Sequence, residues 1–424
     1  MNRIILIGNG FDLAHNLRTK YEQFIDDYWR KKSDKMARES SLEYEDSDIR
    51  MQTTSKKPLS EFWSPSSESV RSWRGFKDHL YNICALMGIV SPFTYFTFNN
   101  KFLEKITDQH ALVNWVDIEE EYYKLLREIV NKNIPNDQKT YTSVEQLNDD
   151  FSRIKKDLES YLLEETTKGI GGKAIEFIDN TINENIYSKF ELRDFTKEGV
   201  NGLTEDVYQA HAAAVNVGAK DSYTEWAKYK NDHSFLESYL DDRDYINREI
   251  KEGKMDVIPL RNILFLNFNY TTTAREYSKH EDIETQTIHI HGELNKPSNP
   301  IIFGYGDEIG KEYEEIENLN NNDFLENIKS IRYSDTSNYK RLLDFIDSDK
   351  YQIFLFGHSC GLSDRTLLNT LFEHENCVSI KPFYHKKDGT DDYSKIVRNI
   401  SRHFKNKATM RKKVVNREYC KPLS

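Results

Sequence analysis

Two side chains suited to acid–base chemistry stand at the ends of short apolar runs in this chain. Asn269 follows the run Asn262–Phe268, and His291 closes the run Thr287–His291. A neutral imidazole can accept a proton, and an amide side chain can hold a water molecule in place. The separation of the two residues allows one helical crossover between parallel strands, so both can reach one pocket rim. His289 is expected to share a strand face with His291, because strand side chains alternate.

Both residues also have a plainer interpretation. Asn269 is of a type that caps the helix or turn after a strand. A histidine at the end of a strand is more often a satisfied core residue than a catalytic base. The residues by themselves leave these alternatives open.

Glycine turns after two other apolar runs are candidates for anion binding. The run Arg3–Ile7 is followed by Gly8, Asn9, Gly10, Phe11 and Asp12. Such a turn after a first strand lets backbone N–H groups approach a phosphate. The full Gly-x-Gly-x-x-Gly pattern is absent because Leu13 occupies its last position, and an ordinary tight turn is the alternative. A similar turn, with Gly304, follows the run Pro300–Phe303.

A further turn resembles the nucleophile elbow of serine hydrolases. Gly357, His358, Ser359, Cys360 and Gly361 follow the run Gln352–Phe356 and match Gly-x-Ser-x-Gly. A hydrolase triad would have to draw on Asp391 or Asp392 and His403, in a charged helical tail. The alternative is a second nucleotide-binding turn, in which Ser363 or Asp364 caps the following helix.

The composition excludes several classes of function. The 424 residues include 59 Lys and Arg against 70 Asp and Glu, a net charge of −11. Bulk charge therefore does not draw the chain to nucleic acid or to an anionic membrane. The longest apolar stretch, Ile83–Val90, is far shorter than the ~20 residues of a membrane span.

Cysteine usage and the N-terminal sequence point to the cytoplasm. The cysteines are scattered and form no Cys-x-x-Cys pair: Cys84, Cys360, Cys377 and Cys420. We therefore expect neither a metal site nor a disulfide framework. The first apolar run, Ile4–Ile7, is too short for the core of a signal peptide.

The elements that must position these residues suggest a discontinuous α/β domain. The predicted buried strands are Arg3–Ile7, Asn262–Phe268, Thr287–His291, Pro300–Phe303, Gln352–Phe356 and Cys377–Phe383. Between 118 and 162, apolar residues recur at helical spacing. Weaker helical patterns cover Glu205–Val217 and Phe235–Ile246, and Lys31–Ser67 reads as polar, partly mobile surface. We therefore predict an α/β domain of residues 1–30 plus 255–424, interrupted by a helical insertion of residues 31–254.

The order of these motifs resembles the AbiH family of bacterial abortive-infection, phage-defence proteins. The opening ILIGNGFDLAHNLRTKYEQF carries the likeness. Further matching segments span nearly the whole chain: Trp115–Glu119, Phe268–Thr271, His289–Gly292, Ile302–Gly304 and Gly357–Asp364. The resemblance also implies that Trp115, Asp117 or Glu119 points toward the pocket, where a plain helix N-terminus is the alternative.

The same motifs are more distantly similar to the sirtuin-like NAD-binding fold, which is a Rossmann-like parallel sheet. That likeness implies that Asn269 orients ribose or water and that His291 is the catalytic base. It implies nucleotide contacts from Gly8, Asn9, Gly10, Phe11, Asp12, Gly304, Gly357, His358, Ser359 and Asp364. This chain departs from sirtuins in having Thr271 where they have Asp and in lacking their four-cysteine zinc module. NAD hydrolysis therefore fits the resemblance better than deacylation.

The resemblance thus implies an enzyme that hydrolyses NAD to nicotinamide and ADP-ribose, with NAD as substrate and no metal. The alternatives are a nucleotide-sensing or protein-interaction module without catalysis, and a serine hydrolase that uses Ser359. The resemblance leaves three kinds of partner open: a phage-derived trigger, a defence partner protein or a second copy of the chain. The tail Arg402–Arg417 has seven Lys and Arg and no Asp or Glu. We read it as a charged terminal helix or loose end and expect no nucleic-acid or membrane partner.

Overall fold

Short apolar runs near both ends of the chain form one sheet in this computed structural model. The structure describes residues 1–52, 57–63, 72–86, 95–108, 115–170, 180–205, 252, 258–308, 311–387 and 389–423. Its strands are β1 Asn2–Ile7, β2 Glu43–Glu45, β3 Ile49–Gln52, β4 Phe96–Phe98, β5 Asn262–Asn267, β6 Glu284–His289, β7 Tyr351–Phe356, β8 Cys377–Phe383, β9 Lys386–Lys387 and β10 Thr390–Asp391.

The main sheet has five parallel strands in the order β6-β5-β1-β7-β8. Ile5 on β1 lies opposite Phe265 on β5 and Phe354 on β7. Every residue of β1 and β7 is buried, as expected for strands that are covered on both faces. The predicted α/β fold with a Rossmann-like parallel sheet is confirmed.

The order of the strands creates a topological switch point. From β1 the chain moves outward to β5 and β6, then returns to place β7 and β8 on the other side of β1. In open α/β sheets, ligands bind at the carboxyl ends of the strands where this reversal occurs. The segments that follow β1 and β7 therefore lie where a ligand is expected to bind.

Helices cover the sheet and make up much of the described part of the segment between β1 and β5. They are α1 Asn9–Ala14, α2 Tyr21–Met36, α3 Trp73–Leu86, α4 Lys101–Asp108, α5 Trp115–Val130, α6 Val144–Ile170, α7 Asn180–Ile186, α8 Lys311–Glu317, α9 Lys329–Arg332, α10 Asn338–Ser348, α11 Arg365–Glu373, α12 Tyr393–Arg402 and α13 Lys407–Lys413. Helices α5 and α6 confirm the helical spacing of apolar residues between 118 and 162. Of the weaker patterns, residues 206–217 and 235–246 lie outside the described residues.

Alternation along the strands divides the apolar core between two faces. Ile4 and Leu6 of β1 pack with Leu342 of α10 and Ile400 of α12. Ile5 and its neighbours pack on the other face with α1, α7 and the turn that precedes β6. Burial on both sides fixes the register of the sheet, since a shift by one residue would exchange the two cores.

Two local predictions were wrong. Pro300–Phe303 forms no strand, because it lies at the carboxyl end of the sheet, where the Ile302 amide donates to the His291 carbonyl at 2.8 Å. Strand β6 ends at His289, and the chain then turns as the Gly292 amide donates to the His289 carbonyl. His291 therefore lies beyond the strand.

The segment between β1 and β5 contains sheet as well as helix. Strands β2, β3 and β4 form an antiparallel sheet, and α2 crosses the predicted boundary at residue 30. The prediction that 31–67 is polar surface was wrong for Lys32, Met36 and Ile49, which are buried, while residues 53–56 and 64–67 lie outside the described ranges. The division of the chain into two domains stays a prediction.

Aromatic stacking joins this segment to the carboxyl side of the sheet. The ring of Tyr123 on α5 stacks on Tyr305 with centroids 4.1 Å apart. Phe151 on α6 stacks on Phe303 at 5.1 Å. Helices α5 and α6 are thereby held beside the loop that follows β6.

Candidate functional site

The glycine turns after β1 and β7 pack directly against each other at the switch point. The Gly8 amide donates to the Phe356 carbonyl at 3.1 Å, and the Gly10 amide donates to the Gly357 carbonyl at 2.9 Å. A Cβ atom on Gly8 would lie 2.5 Å from the Cα of His358. Gly357 has a φ of 72°, a region that favours glycine. These glycines permit close backbone approach, and the amides of Gly8 and Gly10 are paired within the protein.

The other residues of the first turn are held by side-chain contacts. The carbonyl oxygen of the Asn9 side chain accepts a hydrogen bond from Thr19, and Phe11 is buried against Phe356. The Asp12 carboxylate accepts a hydrogen bond from Thr271 at 2.7 Å. Burial raises the pKa of Asp12 to about 6, although hydrogen bonds from neighbouring side chains oppose the rise. Its Oδ1 is buried with no hydrogen-bond partner among the described residues.

Asn269 belongs to a polar cluster at the ends of β1, β5 and β6. Its side-chain amide donates to the Gly8 carbonyl at 3.0 Å, and its backbone amide donates to Asn267 Oδ1 at 2.9 Å. Asn267 Nδ2 donates to the Thr271 carbonyl and lies 3.3 Å from His289 Nδ1. Asn267 thus organises the turn that carries Asn269.

His291 lies in a second, more strongly charged cluster. Its Nε2 is 3.3 Å from Asp364 Oδ1 and 3.2 Å from the Tyr333 hydroxyl. Lys329 Nζ lies 2.9 Å from the same carboxylate oxygen and 2.8 Å from Glu119 Oε1. All five side chains are buried. An ionised carboxylate only accepts hydrogen bonds, so His291 carries its proton on Nε2 and leaves a lone pair on Nδ1.

The pKa values in this cluster follow from burial and from Lys329. Burial and the positive charge of Lys329 lower the pKa of His291 to about 4. Burial would raise the pKa of Asp364, but Lys329 and His291 hold it well below its ordinary value. Burial raises the pKa of Glu119 to about 7, against the attraction of Lys329. At neutral pH the cluster therefore holds a neutral imidazole, an ionised Asp364 and a charged lysine.

The turn after β7 contributes His358 to this cluster and exposes Ser359. His358 Nε2 lies 3.5 Å from Asp364 Oδ2, and its Nδ1 accepts a hydrogen bond from the Cys360 amide at 3.0 Å. Ser359 is exposed, and its carbonyl accepts a hydrogen bond from Asn399 at 2.7 Å.

The residues that a serine-hydrolase triad would need are engaged elsewhere. His403 Nε2 donates to the Cys360 carbonyl at 2.8 Å. Asp391 pairs with Arg417, and Asp392 accepts a hydrogen bond from the His385 amide. In the part of the chain that the structure describes, no histidine is hydrogen-bonded to the Ser359 hydroxyl.

Comparison with protein-family models identifies a family that matches most of the chain. The model described as "Bacteriophage abortive infection AbiH" matches residues 4–385. The chain belongs to the AbiH family. Neither a comparison with curated proteins nor one with solved structures gives a match. The sequence-based assignment to AbiH is thus confirmed, and the family ties this protein to abortive infection.

In this AbiH protein the predicted catalytic residues lie in adjacent but separate clusters. Asn269 contacts the Gly8 turn, whereas His291 contacts Asp364 and Tyr333. Phe268, which precedes Asn269 in the chain, contacts the second cluster, since its ring centroid lies 5.1 Å from that of His291. The expectation that His289 and His291 share a face was wrong, because the turn after β6 redirects His291.

Other side chains of the site were predicted only in part, or not at all, from the sequence. The AbiH segment 115–119 supplies buried Glu119; the Trp115 side chain lies outside the described part, and Asp117 is half-buried. The Gly304 amide lies 3.5 Å from Glu119 Oε1. No sequence signal singles out Lys329 or Tyr333, because each is one polar residue in an ordinary short helix.

Two absences apply to the described part of this AbiH protein. No group of three or more His, Cys, Asp or Glu side chains there could hold a metal ion. No described helix combines the length and the apolar composition that a bilayer crossing requires.

Proposed function

We propose that this AbiH protein is a cytoplasmic abortive-infection enzyme that hydrolyses NAD to nicotinamide and ADP-ribose. The observation that carries the proposal is the pair of His291 and Asp364, a neutral base beside an ionised carboxylate at the carboxyl end of a parallel sheet. Depletion of NAD would stop the metabolism of an infected cell. The sirtuin-like assignment of the fold is part of the same proposal.

The chemistry requires one modest base. As the bond between nicotinamide and ribose breaks, positive charge develops on the sugar, and water adds to its C1 atom. Nδ1 of His291 takes the proton that this water loses and releases it to solvent, while Asp364 stabilises the imidazolium. With a pKa near 4 His291 is a weak base, which suffices because nicotinamide is already a good leaving group.

Substrate binding follows from the same arrangement. We place the ribose between the side chains of Asn269 and His291, beside Phe268, and the rest of the dinucleotide toward Gly304 and Ser359. The amides of Gly8 and Gly10 are already paired, so the proposal assigns them to shaping the turn. The pyrophosphate then finds its donors at the exposed Ser359 turn.

The test is to incubate the purified chain with NAD and to quantify nicotinamide and ADP-ribose by chromatography. His291→Ala and Asn269→Ala are expected to lower turnover roughly 10²–10⁴-fold, the usual effect of losing a proton-transfer group. Ser359→Ala should weaken NAD binding but keep measurable turnover. His280→Ala, at an exposed histidine, is the matched control. Full turnover by His291→Ala, together with labelling of Ser359 by a fluorophosphonate probe, would instead favour the serine hydrolase.

One observation favours a module that binds a nucleotide without cleaving it. The turns after β1 and β7 are closed on each other, and Asn269 is bonded within the protein. In that case calorimetry would detect NAD or a related nucleotide bound with no nicotinamide released. His291→Ala would then leave nucleotide binding unchanged.

A further inference from the structure

We infer that α12 and α13 form a surface that binds the phosphate backbone of nucleic acid. The inference does not depend on NAD hydrolysis, because it uses a different part of the chain. It also departs from the expectation drawn from bulk charge, for reasons that the structure supplies.

Positive charge is concentrated on these two helices. Residues 393–413 contain no Asp or Glu, in a chain whose net charge is −11. Their cations are Lys395, Arg398, Arg402, Lys405, Lys407, Arg411, Lys412 and Lys413. Salt screens exposed charges beyond a Debye length of about 8 Å, so the local sign decides what approaches this surface.

Helix geometry aligns three of the cations. Lys395, Arg398 and Arg402 fall at i, i+3 and i+7 and are exposed, while Ile396 and Ile400 bury the opposite side of α12. At 1.5 Å per residue the outer two lie about 10 Å apart along the axis. That span matches about three phosphate positions, since one strand of B-DNA has one every 3.4 Å.

The two helices lie on the same side of the sheet. Ile396 and Ile400 of α12 and the residues Met410 and Val414, in and after α13, pack into one core. Val415 continues this contact, since its amide donates to the Ile380 carbonyl on edge strand β8 at 2.9 Å. Both helices therefore cover the same face of the sheet, and only residues 403–406 separate them in the chain.

Most of these charges are not neutralised within the described residues. Lys412 pairs with Glu198, whereas Lys407 and Lys413 each donate to two backbone carbonyls. In the described ranges no carboxylate lies within ion-pair distance of the remaining exposed cations, which we call the basic surface: Lys395, Arg398, Arg402, Lys405 and Arg411. Glu373 is close by but accepts hydrogen bonds from the Asn369 side chain and the Lys405 and Asn406 amides.

The neighbouring residues favour nucleic acid over a membrane. A helix that binds a membrane buries an apolar face in the lipid interface, whereas the apolar face of α12 is buried in the protein. Large exposed apolar side chains in the described part of the chain occur elsewhere, at Leu42, Tyr81, Leu319 and Ile331. Hydroxyl and amide side chains, which commonly contact phosphate and sugar, interrupt the cations instead: Ser394, Asn399, Ser401, Asn406 and Thr409.

The basic surface borders the candidate functional site. Asn399 on α12 donates to the Ser359 carbonyl at 2.7 Å, so the helix adjoins the turn after β7. A nucleic acid bound along α12 would lie beside the carboxyl end of the sheet.

The test uses the full chain and fluorescence anisotropy with three labelled probes: 20-nucleotide RNA, 20-nucleotide DNA and a 20-base-pair DNA duplex. The variant Lys395→Glu/Arg398→Glu/Arg402→Glu is compared with the natural chain. The matched control Lys132→Glu/Lys279→Glu/Lys340→Glu makes the same change in net charge at exposed lysines elsewhere. Equal thermal midpoints verify that both variants fold.

We expect the α12 variant, and not the control, to lose binding at least tenfold at 100 mM salt. For a single strand each lost phosphate contact lowers the salt slope by about 0.7, so three contacts lower it by about 2. That slope corresponds to about 20-fold in affinity between 50 and 200 mM salt. NAD turnover measured without nucleic acid should be unchanged, which separates this inference from the proposed enzyme activity.

Three results would overturn the inference. The first is no binding of any probe at 50 mM salt. The second is an equal loss of binding in the control variant, which would assign the effect to bulk charge. The third is displacement of RNA by polyglutamate of equal charge at equal concentration, which would indicate a surface for acidic proteins.

Discussion

Replacing Lys329 by methionine removes the cation at the centre of the candidate site while keeping a side chain of similar length. Lys329 is 1% exposed and contacts both Asp364 and Glu119. The variant would leave two buried carboxylates with no lysine between them. Removing one partner of a buried ion pair costs about 3–5 kcal/mol. We expect a loss of that size in the free energy of unfolding at pH 8.

The loss should depend on pH in a defined direction. Burial raises the pKa of Glu119 from 4.5 to about 7 even with Lys329 present, and the pKa rises further without it. The folded state then keeps a proton that the unfolded chain releases, so stability falls as pH rises above 4.5. Because the variant keeps losing stability above pH 7, its deficit should be larger at pH 8 than at pH 5.5.

Urea titrations followed by tryptophan fluorescence at the two pH values measure this deficit. Lys340→Met, at an exposed lysine, is the control and should change stability by less than about 0.5 kcal/mol. Adding Glu119→Gln to Lys329→Met should recover part of the loss, since one stranded charge becomes a neutral amide. A Lys329→Met chain as stable as the natural one at pH 8, or a deficit equal at both pH values, would refute the reasoning.

Three further outcomes are expected. Asp194→Ala should lower the free energy of unfolding by about 3 kcal/mol in urea titrations. It removes the nearer of two carboxylates that pair with the buried amine of Lys381, at 3.0 Å, and leaves Glu191 at 3.4 Å. An unchanged midpoint would contradict this. Gly357→Ala should lower the thermal midpoint more than Gly389→Ala does. Both glycines have positive φ, but a Cβ on Gly357 would lie 2.2 Å from a backbone nitrogen, whereas one on Gly389 meets open space. Equal shifts of the thermal midpoint in the two variants would count against close packing of the turns. Burial lowers the pKa of His403 from 6.5 to about 4. The free energy of unfolding should therefore fall by on the order of 3 kcal/mol as pH drops from 6.5 to 4. His403→Gln should reduce that fall in urea titrations at pH 7 and 4.5, and an undiminished fall would mean that other groups cause it.

The strands of the main sheet could largely be predicted from the sequence. Strand β8 matches its prediction, Cys377–Phe383, and the predictions for β1 and β7 each miss one residue at the start. A strand buried on both faces needs a continuous apolar run, which is visible in the sequence. The run Pro300–Phe303 is equally apolar but covers the end of the sheet, and only the positions of its neighbours distinguish the two cases.

The residues that follow the strands were also visible in the sequence. Gly8, Gly357 and Asn269 were predicted to follow strands directly or closely, and the structure has them there, whereas His291 was predicted as the last residue of a strand and lies two residues beyond β6. The residues that these side chains and turns contact could not be predicted in the same way. The glycine turns suggested an anion cradle, yet in the structure they pack on each other.

Periodicity and turn chemistry are local properties, so this sequence alone determined the parallel sheet, the helices of its middle segment and the positions where a site could form. The identity of the charged cluster was decided by tertiary structure. Lys329 meets Glu119 from 210 positions away and Asp364 from 35 positions away. Which charges become neighbours depends on how α5, α9 and the turn after β7 pack together. That same packing excludes water and sets the pKa of His291, because burial and a nearby cation act on an imidazole only after the chain has folded.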